Sequence, residues 1–294
     1  MLKVAIISEG PNTWPLYVAQ ARGFFEREGL DVDVTLTASS AKQLEALCAG
    51  GYDIGFQQSD HVVRGVERGA DLFIFMAHAH APELSLVAAP DVRTLRDLRN
   101  KVLAVDGARS GYALLLRKLL ADNGLGEGDY TFAEFGGSRE RFEALRNGAA
   151  IASFLNPPFD EALFELGFGK LGSSRDYFPT YPGPVMATRR AWAKDNADRL
   201  VAFIRALRSA YDWLINRKNK AEAVRVLAER LKSDTAKAEE AYEAYVLQPP
   251  PEIRPEGLRE VIEVVWDADG FRQPKAPPEK YLDLGYFAAA CRGT

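Results

Sequence analysis

Short apolar runs alternate with amphipathic helical segments over the first two thirds of the chain. This alternation is typical of an α/β fold, in which helices pack on both faces of a largely parallel sheet. The predicted strands cover residues 4–8, 32–36, 53–56, 72–77, 84–88, 101–106, 130–135, 151–155 and 184–188.

Polar residues with helix-capping chemistry separate several of these strands from the helices that follow. Ser40 with Gln43 predicts a capping box, and Ser110 and Asn156 each precede an amphipathic segment. After residue 188 the pattern changes to one long single-face helix over 191–216 and three or four shorter helices. We therefore expect a strand-rich first part and a helical last third.

Length and charge narrow the class of protein. The chain has 294 residues, enough for two domains on a prior of about 150 residues each. Its net charge of −4 and the absence of a basic stretch argue against nucleic acid as a partner. No apolar run approaches the length of about 18 residues that suggests a membrane-spanning helix.

The cysteines and histidines do not form a recognisable metal pattern. Cys48 and Cys291 are far apart in sequence, and a single bridge between them is left open. His78 and His80 alternate on an extended segment, but only His61 is available as a third histidine in this part of the chain. We expect no metal site and assign His78 a polar role in ligand binding.

The amino terminus bears on the cellular location. Met1 is followed directly by an apolar run that reads as a strand and is too short for the core of a signal peptide. The protein is therefore expected in the periplasm or at the cell surface if an export signal has been removed, with a cytoplasmic location as the alternative.

Five segments, taken in their order along the chain, resemble the substrate-binding proteins of ABC importers for nitrate, sulfonates, taurine and thiamine precursors. They are PLYVAQARGFFEREGLDVDV at 15–34, AGGYDIG at 49–55, LRDLRNKVLAVD at 95–106, RNGAAIASFLNPP at 146–158 and VMAT at 185–188. Their order and spacing extend the resemblance over about residues 3–215.

The resemblance implies a two-lobed type 2 periplasmic-binding-protein fold joined by hinge strands. One lobe would comprise residues 1–88 plus 188–294, and the other residues 89–187. It further implies a small-molecule ligand held between the lobes, a membrane ABC permease as partner and a monomeric state. We expect neither a cofactor nor chemistry on the ligand, because no Ser-His-Asp or Cys-His arrangement stands out in the sequence.

Loops that follow the strands should line the ligand site, since open α/β sheets bind ligands beyond the carboxyl ends of their strands. The predicted ligand-binding residues are Asn12, Trp14, Tyr17, Ser39, Ser40, Gln57, Gln58, Ser59, His78, Gly107, Arg109, Ser110, Gly111, Tyr112, Asn156, Pro158 and Tyr181.

Two of these residues carry most of the argument about the ligand. Trp14 is predicted on an exposed turn, where its ring would contact the ligand; packing against the following helix is the alternative. Arg109 stands at a helix start between Gly107 and Gly111, a setting that suits a carboxylate, sulfonate or phosphate. A role for Arg109 as an ordinary surface charge remains open.

 The expected ligand is thus a small organic anion, and the expected function is its capture for an ABC importer. An enzyme on the same fold, related to thiamine-pyrimidine or menaquinone biosynthesis, is the alternative, although the cysteine-rich segment of the pyrimidine synthases is missing from the chain. A ligand-sensing regulatory domain is a third reading, for which no helix-turn-helix stands in the sequence.

Overall fold

Two five-stranded sheets form the framework of the chain, and each belongs to one compact unit. The computed structural model describes residues 1–7, 9–10, 13–37, 39–78, 84–108, 110–157, 159–232, 234–246 and 252–292. Unit 1 comprises Met1–His80, Pro182–Ile253 and Pro277–Thr294. Unit 2 comprises Ala81–Tyr181 and Arg254–Ala276.

The elements are numbered in chain order over the described ranges. The strands are β1 (Leu2–Ile6), β2 (Val32–Leu36), β3 (Ile54–Gln58), β4 (Leu72–Ala77), β5 (Ser85–Ala88), β6 (Val102–Val105), β7 (Thr131–Glu134), β8 (Ala152–Leu155), β9 (Gly169–Ser173) and β10 (Pro184–Arg189). The α-helices are α1 (Trp14–Ala21), α2 (Phe24–Arg27), α3 (Ser40–Cys48), α4 (Ser59–Glu67), α5 (Gly111–Asp122), α6 (Ser138–Arg146), α7 (Phe159–Glu165), α8 (Ser174–Tyr177), α9 (Arg190–Asp195), α10 (Ala197–Ile215), α11 (Lys220–Leu231), α12 (Thr235–Val246), α13 (Pro255–Asp269) and α14 (Gly285–Cys291).

The sheet of unit 1 has the order β2-β1-β3-β10-β4. β1 pairs in parallel with β2 and β3, while β10 runs antiparallel to both β3 and β4. β3 and β10 are buried on both faces, as expected for central strands covered by helices, whereas the edge strand β2 is only partly buried. The carboxyl ends of β1, β2, β3 and β4 therefore meet at one edge of this sheet.

The sheet of unit 2 repeats this arrangement with the order β7-β6-β8-β5-β9. β6 pairs in parallel with β7 and β8, and β5 is the antiparallel strand between β8 and β9. β9 was missed by the hydrophobic pattern, because its sequence Gly-Lys-Leu-Gly-Ser contains a single large apolar residue. The predicted α/β fold class is confirmed.

Apolar side chains fix the helices to each sheet. In unit 1, Phe25 of α2 stacks on Phe203 of α10 with 5.4 Å between ring centroids, and both rings are buried. Burial of one such ring contributes about 1.5–3 kcal/mol. In unit 2, Ala144 and Leu145 of α6 pack in a cluster with Leu155 of β8, which holds α6 on the sheet.

The last third of the chain is divided between the units. α10, α11, α12 and α14 belong to unit 1, whereas α13 belongs to unit 2, where it packs on α5. The predicted boundaries place residues 188–294 in one lobe, because nothing in the sequence marks α13 as part of the other unit.

The remaining sequence expectations concern single groups. Cys48 and Cys291 are not joined by a disulfide, so the bridge that the sequence left open is not formed in this structure. No helix within the described ranges is both long and apolar enough to cross a bilayer.

Candidate ligand-binding edges

The carboxyl ends of the parallel strands define one candidate edge in each unit. The unit 2 edge consists of the residues that follow β6, β7 and β8, and the unit 1 edge consists of those that follow β2, β3 and β4. Loops at such edges combine side-chain donors with the free N–H groups of helix starts, which suits the recognition of polar ligands.

The unit 2 edge contains a short polar chain at the start of α5. Ser110 Oγ donates to Asp106 Oδ1 over 2.5 Å, and the same oxygen accepts from the backbone N–H of Ala113 over 3.1 Å. Ser110 is therefore the N-cap of α5, which confirms the predicted helix start. Its hydroxyl proton is engaged by Asp106.

A buried arginine connects the three loops of this edge. Arg141 of α6 is only 6% exposed, its Nη2 donates to Ser138 Oγ over 3.1 Å, and its Nη1 lies 3.9 Å from Asp106 Oδ1. Ser138 Oγ in turn donates to Asn156 Oδ1 over 2.7 Å. Side chains after β6, β7 and β8 thus belong to one network of hydrogen bonds and an ion pair.

The electrostatics of Arg141 make it the central group of the network. Burial lowers the pKa of Arg141, and the neighbouring Asp106 carboxylate opposes that shift. A guanidinium nevertheless stays protonated in proteins. Among the described residues no group accepts a hydrogen bond from its buried Nε, so the network retains one unused charged donor.

The burial of Arg141 follows from its position on α6. Ala144 and Leu145 are three and four residues further along and face the sheet, so Arg141 lies on the same helix face one turn nearer the edge. Sequence reasoning missed Arg141, because α6 also carries Arg139 and Arg146 and nothing in their spacing marks the buried one.

The other predicted residues of unit 2 have mixed settings. Gly107 is surrounded by open space, since a Cβ built there would meet no atom within 4 Å. Gly111 and Tyr112 begin α5, and both are partly exposed. Tyr181 is 8% exposed, which leaves little of its ring for a ligand. Asn12, Arg109 and Pro158 lie outside the described residues, as does His80.

At the unit 1 edge the side chain of Gln57 points into the unit. It is 1% exposed, and its Nε2 donates to Gln43 Oε1 over 3.1 Å and to the Ser40 carbonyl over 3.4 Å. Its Oε1 lies 3.1 Å from Nδ1 of His61. Gln57 therefore links α3 to α4, and its side-chain amide is used in hydrogen bonds within the unit rather than available to a ligand.

The serines of this edge stand at the starts of α3 and α4. Ser39, and not Ser40, is the N-cap of α3 and accepts from the Lys42 N–H, which corrects the predicted capping box by one residue. Ser59 opens α4 directly after Gln58, and its buried Oγ has no hydrogen-bond partner among the described residues.

Trp14 is a core residue, so its predicted exposure on a turn is wrong. The side chain is fully buried at the start of α1, and Nε1 donates to the Ala223 carbonyl over 3.2 Å. The rings of Tyr242 and Tyr245 pack against the indole edge-on, each 5.8 Å from it. Tyr17, 2% exposed, is likewise buried, so neither side chain has a surface to offer a ligand.

His78 lies at the end of β4, where it is partly exposed. Its ring packs edge-on against Phe56 at 4.5 Å, and burial lowers the pKa of His78 to about 3. The side chain is therefore neutral at pH 7. No group of three His, Cys, Asp or Glu side chains suited to a metal ion occurs in the part of the chain that the structure describes.

The comparison with protein families decides the classification. The family model described as NMT1/THI5 like matches residues 10–221, which is most of the chain. The chain belongs to the NMT1/THI5-like family. This match confirms the resemblance that the ordered sequence segments predicted.

Curated relatives of this family member are named mainly as binding proteins. A putative binding protein of Bacillus subtilis is 25% identical over 96% of this chain and 86% of its own length. A formylaminopyrimidine-binding protein of Halalkalibacterium halodurans is 23% identical over 72% of this chain and 64% of its own. A pyrimidine phosphate synthase of Schizosaccharomyces pombe is 25% identical over 48% of this chain and 38% of its own.

A solved structure shows the same fold over the whole chain. The putative periplasmic sulfonate-binding protein SsuA of Methylobacillus flagellatus aligns with a TM-score of 0.79, over 99% of this chain and 94% of its own, at 14% identity. At that identity the likeness establishes the periplasmic-binding-protein fold, and the ligand has to be argued from the residues themselves.

Proposed function

We propose that this protein is the solute-binding component of an ABC importer and captures a small organic anion without changing it. The family, the relatives named as binding proteins and the fold support capture as the activity. The relevant anions are sulfonates, carboxylates and heteroaromatic acids. A membrane permease as partner, an extracytoplasmic location and a monomeric state belong to the same proposal.

The observation that carries the anion preference is the network at the unit 2 edge. Arg141, Ser138 and Asn156 are held in fixed positions by one another, so they are ordered before any ligand arrives. The starts of α5 and α6 add free backbone N–H groups, and α6 has no side-chain cap. A preordered set of donors beside a buried cation favours an acid group.

A thermal-shift screen of the purified chain tests this proposal. The panel would contain alkyl and aryl sulfonates, carboxylates and pyrimidines. A ligand at a hundred times its Kd stabilises the folded state by about 2.7 kcal/mol, which corresponds to a rise in Tm of roughly 5–10 °C for a chain of this size. A panel in which no compound raises Tm contradicts the proposal.

Two arginines of α6 provide a matched pair for the site. Arg141→Gln should weaken binding of the panel compound about 10-fold to 100-fold, as expected when a charged hydrogen-bond donor is lost. Arg146→Gln should leave it unchanged, since Arg146 is half exposed and pairs with Glu143 on the surface. Equal affinities for the two variants would remove Arg141 from the site.

An enzyme remains the second candidate because one relative is named as a pyrimidine phosphate synthase. It covers about half of this chain, and the rest of the two proteins is not matched. Incubation of the chain with a bound panel compound, followed by mass spectrometry, separates the two functions. Recovery of the compound intact supports capture, and the appearance of a product supports the enzyme.

A further inference from the structure

A cavity of about 260 Å³ lies within unit 1, and none of the residues that line it belongs to the polar network of unit 2. Its walls are mostly apolar and come from the sheet, from the start of α1 and from two helices of the C-terminal part. Phe56, Met76 and Met186 line it from β3, β4 and β10, with Leu207 and Phe287 from α10 and α14. Met186 lies opposite both Phe56 and Met76 in the sheet register, so the three side chains share one face.

One charged group in this cavity has an unsatisfied donor. Nη1 of Arg208 is buried and has no hydrogen-bond partner among the described residues. The guanidinium lies 5.8 Å from the ring centroid of Phe287, and no ion pair with Arg208 occurs in the described part of the chain. A guanidinium keeps its proton, and a buried donor without a partner is unfavourable by about 1–3 kcal/mol.

Arg205, three residues earlier on α10, is paired with a carboxylate and serves as a comparison on the same helix. Its Nε and Nη2 both bind Glu28 Oε2, at 2.8 and 2.7 Å. No carboxylate among the described residues pairs with Arg208 in this way. The contrast between two arginines on one helix indicates that the partner of Arg208 is not supplied by the described part of the protein.

The other polar groups of the cavity are compatible with an anion near Arg208. Asp212 also lines the cavity, but it is exposed, so solvent screens its charge. His78 is neutral at pH 7 for the reason given above. Burial raises the pKa of Tyr211, with Asp212 adding to the shift, so this phenol stays protonated and can donate a hydrogen bond.

We infer that this cavity is a separate binding site for a compact hydrophobic acid, whose carboxylate or sulfonate pairs with Arg208. A dry apolar cavity of about 150 Å³ accepts benzene, so 260 Å³ has room for a single ring that carries one acid group. A small inorganic anion would leave the apolar walls unfilled. The inference does not depend on the proposed function, since every residue that carries it belongs to unit 1.

Isothermal titration calorimetry with benzoate as the probe and benzamide as its neutral counterpart tests the inference. The wild-type chain should bind benzoate at least tenfold more tightly than benzamide. Arg208→Gln should weaken benzoate binding at least tenfold, and Arg205→Gln should not change it. Met76→Trp should abolish binding by filling the cavity, with circular dichroism melting to confirm that each variant is folded.

Any one of the following results would overturn the inference: no benzoate binding by the wild-type chain, equal affinity for benzoate and benzamide, or wild-type affinity in the folded Arg208→Gln variant. Loss of benzoate binding in Arg141→Gln instead would place the probe at the unit 2 edge and would equally refute a site at Arg208. If the benzoate test fails, the panel screen still tests the proposed function. The inferred cavity site and the proposed function can therefore be refuted separately.

Discussion

At the scale of single residues, Trp14 shows how neighbouring residues in the sequence can suggest the wrong environment for a side chain. A tryptophan beside Pro15 suggests an exposed loop, but Pro15 occupies the first turn of α1, where proline is well tolerated. The indole is therefore carried by a helix that packs on the core, and its N–H reaches Ala223, more than two hundred residues away in sequence. No local pattern reveals such a partner.

Replacement of Trp14 tests this assignment. Trp14→Phe should lower the free energy of unfolding by about 1–3 kcal/mol, because it removes a buried hydrogen bond and packing area. The affinity for the bound panel compound should stay within twofold. Urea denaturation and calorimetry measure the two quantities, and Trp213→Phe, which alters a half-buried ring, serves as control. Weaker binding at unchanged stability would return Trp14 to the ligand site.

His78 gives the folded state a defined pH dependence. Its pKa of about 3 lies below the value near 6.5 of an unfolded histidine, so between these values the unfolded chain binds the extra proton. The stabilisation is complete above about pH 6.5 and is lost as the pH falls towards 3.

The free energy of unfolding can change with pH by at most about 1.4 kcal/mol per pH unit through His78 alone, and partial exposure of the side chain should make this slope smaller. His78→Gln should therefore lose less stability than the wild-type chain between pH 7 and pH 5. Urea unfolding at pH 5, 6 and 7 measures both slopes. Identical slopes would show that His78 titrates normally in the folded chain.

At the scale of elements, buried strands were visible in the sequence and exact helix starts were not. β3, β5 and β8 are fully or almost fully buried, so their apolar runs stand out. β9 is glycine-rich and does not. At α3, two adjacent serines both have capping chemistry, and only the extended backbone of Ser39 shows which one caps the helix.

The two serines of α3 form a natural control for each other. Ser39→Ala should reduce the free energy of unfolding by about 0.5–1 kcal/mol, because the Lys42 N–H loses its acceptor. Ser40→Ala should change it by no more than about 0.3 kcal/mol, since alanine is the better helix former inside α3. Chemical denaturation of both variants gives the comparison, and a larger loss at Ser40 would restore the predicted capping box.

At the scale of the whole molecule, the order of the segments predicted the fold better than the residues predicted the site. Strand order and family resemblance depend on patterns spread over many positions, which survive single errors. The site depends on individual environments, and the buried Arg141 and the partly buried Arg208 look in sequence like any surface arginine. Their environments arise from packing of α6 on its sheet and of α10 against α1, α2 and α14, which sequence spacing alone does not encode.

The central claim is that the chain captures a small organic anion and releases it unchanged. Native mass spectrometry of the purified chain with the best compound of the panel tests this most directly. We expect a complex with the compound bound intact at the unit 2 edge, lost in Arg141→Gln and kept in Arg146→Gln. A compound recovered as a chemically altered product, or a complex that persists equally in Arg141→Gln, would contradict the account.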